Sequence, residues 1–581
     1  MVRNCCVAAN TEGPETDRAA RLQWLGAMRS RFHPALAYSV ILVCVFLSHA
    51  TLLRLPYFWD EAGYYVPAAR DLLTYGSLIP RTTVSNAHPP LVMAWLALWW
   101  KVVGYAPVVT RAAMLVLASF SLLGLFRLGE VVANRSVAVT ATLCTAVYPV
   151  FFAQSSLAQV DLTAAGLTFW GLAEYLGARY ASAAVWFCIA VLAKETAVLT
   201  PVALLLWELL GLFFACQTKL AGLWNSSVGK RGPRILSLVL PALILAAWYA
   251  YHYARTGYVF GNPEFFRYNV ASTLNPVRFL LALALRLWQA FGYMHLWLLT
   301  IAMLLAMFLP PVKDLGLERR RIAIPMQSIF LVIVAVYVLA MALIGGAVLA
   351  RYMLPIVPLV ILLATSTLYR RLRYWRVATA AIAVTFVVAW FWNPPYGFSP
   401  EDNLAYRDYI QLHENGERFL EARYPMAHVL TAWPASDELS RPWLGYVTRP
   451  MQVVRIEDFS LDQMISAAEF RDHFDVALVF STKYEPPNPL LDGWARWIEW
   501  KKRFFGFHRD LPPAAAPRIL AGNIVFSQEK HGQWIAVIEM QRNEWRNASY
   551  EDRSAARGLK LTGLPHEMAG MRFDHQPDVL P

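Results

Sequence analysis

The sequence has few charged residues and few cysteines for its length. Only 16% of its 581 residues are Asp, Glu, Lys or Arg, whereas 57% are hydrophobic. This composition excludes an ordinary soluble protein of this size and indicates a polytopic membrane protein. The last of the six cysteines is Cys216, so a disulfide framework is excluded from the C-terminal part of the chain.

Nucleotide-binding loops and Cys/His metal-binding spacings are also absent from the sequence after residue 393. The formal net charge is +12, but the basic residues gather in short clusters beside apolar runs. Anionic lipid and membrane topology explain such clusters better than a polyanionic partner does. We therefore expect no nucleic-acid partner, and we expect membrane lipid as one partner.

Apolar runs long enough to cross, or nearly cross, a bilayer occur about eleven times along the chain. They lie at 35–53, 110–128, 137–153, 162–178, 182–193, 197–215, 235–253, 293–311, 326–346, 352–369 and 377–392. With this count every strong Lys/Arg cluster falls on one side of the membrane, which the positive-inside rule identifies as the cytoplasm. The odd number of spans then places the chain after residue 392 on the external side.

Two further apolar stretches, 91–103 and 279–291, are short and contain charged residues. Counting either as a crossing would invert the later charge clusters. We expect both to be helices lying at the external membrane surface. The predicted organisation is thus a cytoplasmic basic tail at 1–34, a transmembrane domain at 35–392 and an extracytoplasmic domain at 393–581, with the first external loop at 54–110.

The C-terminal part alternates short strand patterns with helix patterns. Apolar runs at 426–432, 451–456 and 476–481 are separated by turn residues and by helix-like segments. This alternation predicts a compact α/β domain.

Charged and aromatic residues cluster at the predicted external ends of the apolar runs. The acids are Asp60, Glu61 and Asp161, the cations are Arg111, Lys194 and Arg351, and Tyr64, Tyr65, His88 and Tyr352 accompany them. A carboxylate at a membrane boundary is costly unless it faces water, a partner or a substrate.

This cluster allows a structural and a functional interpretation. Asp60 can cap a helix at 61–73, because Asp is a preferred N-cap, and the other charges can serve helix pairing or surface snorkelling. Alternatively, the cations hold a lipid-linked phosphate while a carboxylate takes a proton from an acceptor hydroxyl.

Read in order, the motifs resemble the GT-C membrane glycosyltransferases, in the branch of the protein O-mannosyltransferases and aminoarabinose transferases. The matching features are Asp60-Glu61, the motif His-Pro-Pro-Leu at 88–91, Arg111, Asp161, Lys-Glu-Thr at 194–196 and Arg-Tyr-x-x-Pro at 351–355. The resemblance covers roughly 35–392. It implies transfer of a hexose or pentose from a polyprenyl-phosphate-linked donor, with inversion, at the extracytoplasmic side of a bacterial inner membrane.

The resemblance also implies roles for individual residues. Asp60 is the implied base, Glu61 shapes the site, and Asp161 matches the acid of the second external loop. The implied donor-phosphate contacts are Arg111, Lys194, Arg351 and Tyr352, and the implied substrate-loop residues are Tyr64, Tyr65 and His88.

Neither the acceptor nor a cofactor follows from these motifs. His88 matches the protein mannosyltransferases rather than the Lys-Pro-Pro form of the aminoarabinose enzymes, so the acceptor can be a protein, a lipid or a glycan. A divalent metal is possible, with Asp60, Asp161 and His88 as candidate ligands, but no spacing requires one.

Three other classes of protein remain as alternatives. A polysaccharide polymerase or ligase that uses a lipid-pyrophosphate donor would share the topology and the external cations. A secondary transporter is less favoured, because its polar residues should lie near the midplane, often within an internal repeat. A structural membrane protein whose external domain is the functional part would not need Asp60.

Overall fold

The computed structural model describes residues 34–215, 231–261, 275–344, 346–484, 486–487 and 493–541. Residues 1–33 of the predicted basic tail, the basic segment at 219–230, and Cys5, Cys6 and Cys216 lie outside the described residues. The chain is mostly helical.

The helices that precede residue 393 form the larger part of the molecule. In chain order they are α1 (Pro34–Ser48), α2 (Val66–Tyr75), α3 (Leu91–Val103), α4 (Pro107–Val132), α5 (Arg135–Val147), α6 (Pro149–Ser156), α7 (Asp161–Leu176), α8 (Tyr180–Ala193), α9 (Leu199–Ala215), α10 (Arg231–Thr256), α11 (Pro276–Phe291), α12 (Leu296–Met307), α13 (Ile324–Leu343), α14 (Val357–Arg371) and α15 (Trp375–Phe391). A π-helical turn at Glu61–Tyr65 precedes α2, and 3₁₀ turns occupy Ala50–Leu52, Glu195–Val198 and Ala350–Met353. A two-stranded hairpin, β1 (Lys313–Asp314) and β2 (Leu317–Glu318), joins α12 to α13.

Three of the described helices, α4, α10 and α13, are long and apolar enough to cross a membrane. Two bent pairs, α5 with α6 and α11 with α12, pass the same test when each pair is taken together. The described residues therefore contain three such helices, or up to five. The predicted eleven crossings stay a prediction, because several of the predicted runs form short helices, such as the 14 residues of α8 and the 12 residues of α12.

Proline explains the bend between α5 and α6, which differs from the single predicted run at 137–153. Tyr148 has an extended backbone, with ψ of 127°, and Pro149 begins α6. A residue that precedes proline is pushed away from helical angles, and proline cannot continue the hydrogen-bond ladder of a helix. The resulting bend of 69° gives α6 a direction different from that of α5.

Helix α11 carries its polar residues on the inner face. Arg278, Arg286 and Gln289 are buried, whereas Leu280 and Leu287 are exposed. These positions repeat with helical spacing, so one face of α11 is charged and faces protein while the other is apolar and faces outward. The bend of 75° between α11 and α12 separates this helix from the predicted span at 293–311.

A mixed sheet with flanking helices forms the region after residue 393. Its elements are the 3₁₀ turn Pro400–Asp402, α16 (Ala405–Arg423), β3 (His428–Ala432), α17 (Ala435–Ser440), the 3₁₀ turn Pro442–Leu444, β4 (Gln452–Ile456), α18 (Leu461–Glu469), the 3₁₀ turn Arg471–His473, β5 (Val476–Phe480), α19 (Ala495–Phe505), α20 (Ala516–Leu520), β6 (Gly522–Lys530) and β7 (Gln533–Met540). The strand order is β4-β3-β5-β7-β6, with β3 parallel to both β4 and β5 and β7 antiparallel to both of its neighbours. Strands β3, β4 and β5 fall within the three runs predicted as strands.

One hydrophobic core runs across the predicted boundary at residue 393. Tyr57 and Phe58 of the first loop belong to the same buried cluster as Tyr406, Tyr409 and Val429. The rings of Phe58 and Tyr409 meet edge to face, with centroids 5.2 Å apart. The division of the chain into two domains stays a prediction, since the sheet region packs directly onto the segment that leads to Asp60.

Candidate active site

A cavity of about 1230 Å³ lies between the first loop, the ends of several helices and the start of the sheet region. Its lining includes the charged residues Asp60, Lys194 and Arg351 on one part of the wall. Another part is apolar and includes Leu245 of α10 and Met341 of α13. Most drug-sized ligand sites enclose roughly 300–1,000 Å³, so the cavity has room for a large amphipathic ligand.

Arg351 stands at the centre of the charged wall and contacts three carboxylates. Its Nη2 donates to Asp60 Oδ2 at 2.5 Å, its Nη1 donates to Glu401, and its Nε lies 3.3 Å from Asp161 Oδ2. We name Arg351 and these three acids the Arg351 cluster. The 3₁₀ turn Ala350–Met353 holds the arginine, whose side chain is 2% exposed.

Asp60 is the most exposed acid of the Arg351 cluster, and both Asp60 and Glu401 line the cavity. Its side chain is 21% exposed, against 2% for Asp161 and 3% for Glu401. Its carboxylate makes no capping hydrogen bond to the π-helical turn that follows it, so the interpretation of Asp60 as a helix cap is wrong. Since Arg351 binds Oδ2, Oδ1 is the oxygen that can accept a proton from a ligand in the cavity.

Lys194 and Tyr352 form the next part of the charged wall. Lys194 follows α8 with an extended backbone, donates to Asp161, and places its ammonium 4.0 Å from the centre of the Tyr352 ring. Both residues line the cavity, whereas Asp161 is buried and is not among the residues that line it. Asp161 therefore positions Lys194 and Arg351 rather than facing the cavity.

Glu61 and Arg111 form a separate ion pair that does not line the cavity. Arg111 Nη1 lies 2.5 Å from Glu61 Oε1, and the guanidinium also donates to the carbonyl oxygens of Ser156 and Pro56. Glu61 accepts further from the backbone N–H groups of Phe58 and Ala158. Both side chains are 0% exposed, and the pair ties helix α4 to the turn that follows Asp60. The roles predicted for Glu61 in shaping the site and for Arg111 in phosphate binding stay predictions.

The predicted substrate-loop residues lie along one edge of the cavity. Tyr64, Tyr65 and His88 all line it. His88 Nδ1 is 2.8 Å from Glu195 Oε2, and the His88 ring stacks on Tyr65 with centroids 5.9 Å apart. Burial raises the pKa of the Glu195 carboxyl, but His88 and Lys194 more than offset it and lower that pKa to about 2.

Glu401 is a site residue that the sequence interpretation missed. It lies in the 3₁₀ turn Pro400–Asp402. Its carboxylate accepts one hydrogen bond from Arg351 and another, at 2.9 Å, from Gln159 Nε2. Burial raises the pKa of Glu401. The signal was present, because Glu401-Asp402 is a second acidic pair just past an apolar run, like Asp60-Glu61 after the first run.

Asp402 beside it is buried and accepts from Tyr293 Oη at 2.6 Å. Burial and the charge of Glu401 raise the pKa of Asp402 to about 8.

The polar face of α11 orders the segment before Arg351. Arg286 Nη1 donates to Leu349 O and to Gln289 Oε1, both at 2.8 Å. Gln289 Nε2 donates to Val348 O at 2.9 Å. These bonds leave few positions for Arg351, so Arg286 acts as a positioning residue.

Three further cations line the cavity and were not among the predicted site residues. They are Arg278 of α11, Lys483 after β5 and Arg503 of α19. Arg278 donates to the carbonyl oxygens of Phe504 and Gly346. The sheet region thus supplies both an acid and cations to the cavity.

The candidate metal ligands do not come together. Asp60 and Asp161 contact Arg351, and His88 contacts Glu195 instead. Among the described residues, the one group of His, Cys and acid side chains close enough to share an ion consists of His413, Glu417 and Glu438. A metal at the cavity therefore finds no ready ligand set in these side-chain positions.

Comparisons with known proteins give a fold. No protein-family model and no curated protein sequence matches the chain. The structure of ArnT from Cupriavidus metallidurans bound to undecaprenyl phosphate matches with a TM-score of 0.50 and 13% identity, over 87% of this chain and 97% of that one. The oligosaccharyltransferase AglB from Archaeoglobus fulgidus, in complex with an inhibitory peptide and a dolichol-phosphate, matches at 0.42 and 13%, over 87% and 74%. The mycobacterial arabinofuranosyltransferase AftD matches at 0.38 and 13%, over 88% and 40%.

These three proteins are GT-C fold glycosyltransferases. The assignment of the fold rests on the likeness to ArnT. This likeness confirms the resemblance seen in the sequence motifs, at the level of the fold. The chain has the GT-C fold.

Proposed function

We propose that the protein transfers a sugar from a polyprenyl-phosphate-linked donor to an acceptor hydroxyl in the cavity. One observation carries the proposal: the exposed acid of the Arg351 cluster, Asp60, faces a cavity that has a charged part and an apolar part. A polyprenyl phosphate has the same two parts, a charged head and an apolar chain. The ArnT structure with undecaprenyl phosphate bound lends support from the same fold.

The reaction needs one proton acceptor and one site for the leaving phosphate. The acceptor oxygen forms a bond to the anomeric carbon, while the bond between that carbon and the phosphate oxygen breaks and its electron pair leaves with the polyprenyl phosphate. The acceptor proton passes to Asp60 Oδ1. Direct displacement of this kind inverts the anomeric carbon, and the protein contributes by positioning and by electrostatics.

Charge balance favours Arg278, Lys483 and Arg503 over Lys194 and Arg351 as the cations that meet the phosphate. The Arg351 cluster and Lys194 together hold three carboxylates against two cations, so this part of the wall has no positive charge to spare. Arg278, Lys483 and Arg503 line the same cavity, and a guanidinium binds phosphate oxygens through a two-pronged contact.

The proposal puts the cavity on the extracytoplasmic side of the membrane, as the charge clusters of the sequence predict. The family resemblance implies that this membrane is a bacterial inner membrane. The acceptor stays open between a protein, a lipid and a glycan.

Lipid binding can be measured without knowing the sugar or the acceptor. Purified protein in nanodiscs is titrated with undecaprenyl phosphate and with undecaprenyl pyrophosphate. We expect the monophosphate to bind, and Arg278→Ala to weaken binding by about tenfold or more. Arg418→Ala, which removes an exposed arginine of α16 that pairs with Glu414, is the matched control and should bind normally. Preference for the pyrophosphate would favour the polymerase or ligase alternative.

Transfer is then assayed with a panel of labelled hexose and pentose polyprenyl phosphates and membrane extract as the acceptor source. Asp60→Asn keeps the volume of the side chain but removes the base, so we expect transfer to fall by about a hundredfold or more while lipid binding changes by less than about threefold. Asp314→Asn, which alters an exposed acid of the hairpin, is the control. A normal transfer rate in Asp60→Asn would overturn the assignment of the base.

A further inference from the structure

A second group of buried ionisable residues lies in the sheet region, outside the cavity. His413 and Glu417 are one turn apart on α16, and Glu438 lies on α17, just after strand β3. Their side chains are 1%, 0% and 0% exposed. His413 Nδ1 lies 2.6 Å from Glu438 Oε2 and 3.5 Å from Glu417 Oε1.

Polar atoms of this group are left without partners in the interior. When both acids are ionised, neither carboxylate oxygen of Glu417 accepts a hydrogen bond within the described part of the chain, and Glu438 Oε1 and His413 Nε2 also have no partner there. Leaving such a group buried and unsatisfied is costly, and more so when the group is charged, so native proteins rarely do it. Something must stabilise these oxygens.

Lys and Arg do not neutralise the two acids in the part of the chain that the structure describes. Glu417 and Glu438 form ion pairs there with His413 alone. Asp437, the neighbour of Glu438, shows the contrast, because it pairs with Arg455 at 2.7 Å and with Arg441 at 3.5 Å. The cluster therefore holds two buried carboxylates and one imidazole with no guanidinium or ammonium group beside them.

The geometry suits a metal ion. One donor atom from each of the three residues lies within 4.8 Å of the other two. Bonds of about 2.0–2.2 Å to a zinc ion put neighbouring ligand atoms about 3.4 Å apart. The ligand atoms of these three side chains are between 2.6 Å and 4.8 Å apart, a range that includes this distance. An imidazole with two carboxylates fits Zn²⁺, Mn²⁺ or Fe²⁺, whereas Mg²⁺ and Ca²⁺ prefer oxygen ligands throughout.

We propose that His413, Glu417 and Glu438 bind a divalent transition-metal ion that ties α16 to α17. The ion cancels the charge of the two carboxylates and occupies the side of Glu417 that has no partner. Full burial keeps substrate away from it, so the ion is structural.

The position of the cluster gives the ion a consequence for the cavity. Tyr409 stacks on the His413 ring with centroids 4.0 Å apart, and it also meets Phe58 and Trp59 edge to face, with centroids 5.2 Å and 5.6 Å away. Phe58 and Trp59 immediately precede Asp60. A rigid α16 therefore supports the segment that carries the proposed base, without contact between the ion and the reacting atoms.

The test uses the full-length protein in nanodiscs and Zn²⁺ alone as the probe. Protein is incubated with Zn²⁺, washed briefly with EDTA to strip exposed sites, and analysed for metal content and for its melting temperature. Variants Glu417→Gln and Glu438→Gln remove one ligand each. Glu414→Gln alters a partly buried acid on the same helix that pairs with the exposed Arg418, and it serves as the matched control.

We expect about one more Zn²⁺ per chain in the wild type and in Glu414→Gln than in Glu417→Gln or Glu438→Gln. Prolonged chelation should lower the melting temperature of the wild type by at least about 2 °C, and Zn²⁺ should restore it, because an ion that binds only the folded state stabilises that state. Asp60→Asn should retain this response, which separates the ion from the cavity and from the proposed transferase activity. Should a ligand variant fail to fold, the reversible response of the wild type and of Asp60→Asn decides the question.

The competing explanation is a proton shared between the two carboxyl groups. Burial raises the pKa of Glu417 well above its usual range, and the charge of Glu438 and a hydrogen bond between the two side chains raise it further, so Glu417 can be neutral without a metal. Equal zinc content in the wild type and in Glu417→Gln, with no change in melting temperature on chelation, would overturn the metal site in favour of that proton.

Discussion

At the scale of single residues, two adjacent acids have different surroundings. Asp60 reaches the cavity, whereas Glu61 is fully buried against Arg111. The sequence could predict that an acidic pair after an apolar run matters, because an acid there is costly. It could not tell the two apart, since the difference comes from which side of the π-helical turn each carboxylate occupies.

Glu61→Gln should therefore lower stability more than it lowers the chemical step. Removing one partner of a buried ion pair leaves the guanidinium of Arg111 uncompensated, and such changes cost about 3–5 kcal/mol. Glu318→Gln, which breaks an exposed pair with Arg370, should cost less than about 1 kcal/mol. Unfolding followed in detergent at increasing denaturant measures both. A Glu61→Gln protein as stable as the wild type would contradict the structural role.

Asp402 should make stability depend on pH. Its carboxyl keeps its proton up to about pH 8 in the folded protein, because burial and Glu401 raise its pKa, whereas in the unfolded chain it ionises near pH 4. The folded state therefore binds more protons between these values, and this contribution to stability is present below about pH 4 and is lost as the pH rises to about 8. Melting temperatures between pH 5 and 8 should fall more steeply for the wild type than for Asp402→Asn, and parallel curves would refute the assignment.

Glu401 shows why part of the site could not be predicted from the sequence. The residues of the Arg351 cluster are far apart along the chain, with Asp60 and Arg351 separated by 291 positions. Spacing along the chain gives no information on such contacts. Glu401 also follows the last apolar run. The change of composition there led us to predict a domain boundary at residue 393, which assigned Glu401 to a different domain from the other acids.

At the scale of elements, apolar runs located the helices well but did not show where they bend. Helix α13 at Ile324–Leu343 lies within three residues of its predicted run at 326–346. The bend at Tyr148 depends on one proline inside an otherwise continuous apolar run, and the buried polar face of α11 depends on contacts with the loop before Arg351. Length and hydropathy predict where a helix lies along the chain. They do not predict a bend within an apolar run or a polar face buried against a loop.

The crossing of α4 and α7 should be sensitive to one glycine. A Cβ at Gly166 would stand 1.8 Å from Ser121 Oγ and 2.7 Å from Ser121 Cα, so the two helices must move apart to accept a methyl group. Small residues permit this kind of close helix packing in membranes.

We expect Gly166→Ala to lower the free energy of unfolding by about 1–3 kcal/mol and to reduce transfer, because α4 carries Arg111 and α7 carries Asp161 at their first turns. Gly232→Ala in α10, where a Cβ meets nothing within 4 Å, is the control. Thermal unfolding and the transfer assay report both effects. Ser121→Gly should restore part of the loss, and equal stability of Gly166→Ala and the wild type would show that the helices can separate freely.

At the scale of the whole molecule, the sheet region is part of the site. It packs on the first loop in one core and supplies Glu401, Lys483 and Arg503 to the cavity. The sequence predicted a separate external domain, and composition could not show that its first residues enter the cavity.

A continuous core predicts joint unfolding. Calorimetry of the full chain should give a single unfolding transition. The sheet region cannot unfold without exposing the apolar surface that it shares with the first loop, and the helices around the first loop cannot unfold without exposing the same surface. A cysteine label beside Tyr57 and one beside Val429 should report the same midpoint. Two well-separated midpoints would instead support two independent domains, with a boundary near residue 393.

The excess of carboxylates over cations around Arg351 and Lys194 also bears on how a catalytic cycle would end. In a sugar-linked donor the phosphate is a diester with one negative charge, whereas the spent lipid is a monoester that carries up to about two at neutral pH. The spent carrier therefore gains repulsion from the acids of the Arg351 cluster and attraction to Arg278, Lys483 and Arg503, which line the same cavity. Its phosphate would move away from the Arg351 cluster when the sugar departs, and the free lipid would compete with the donor for the same three cations.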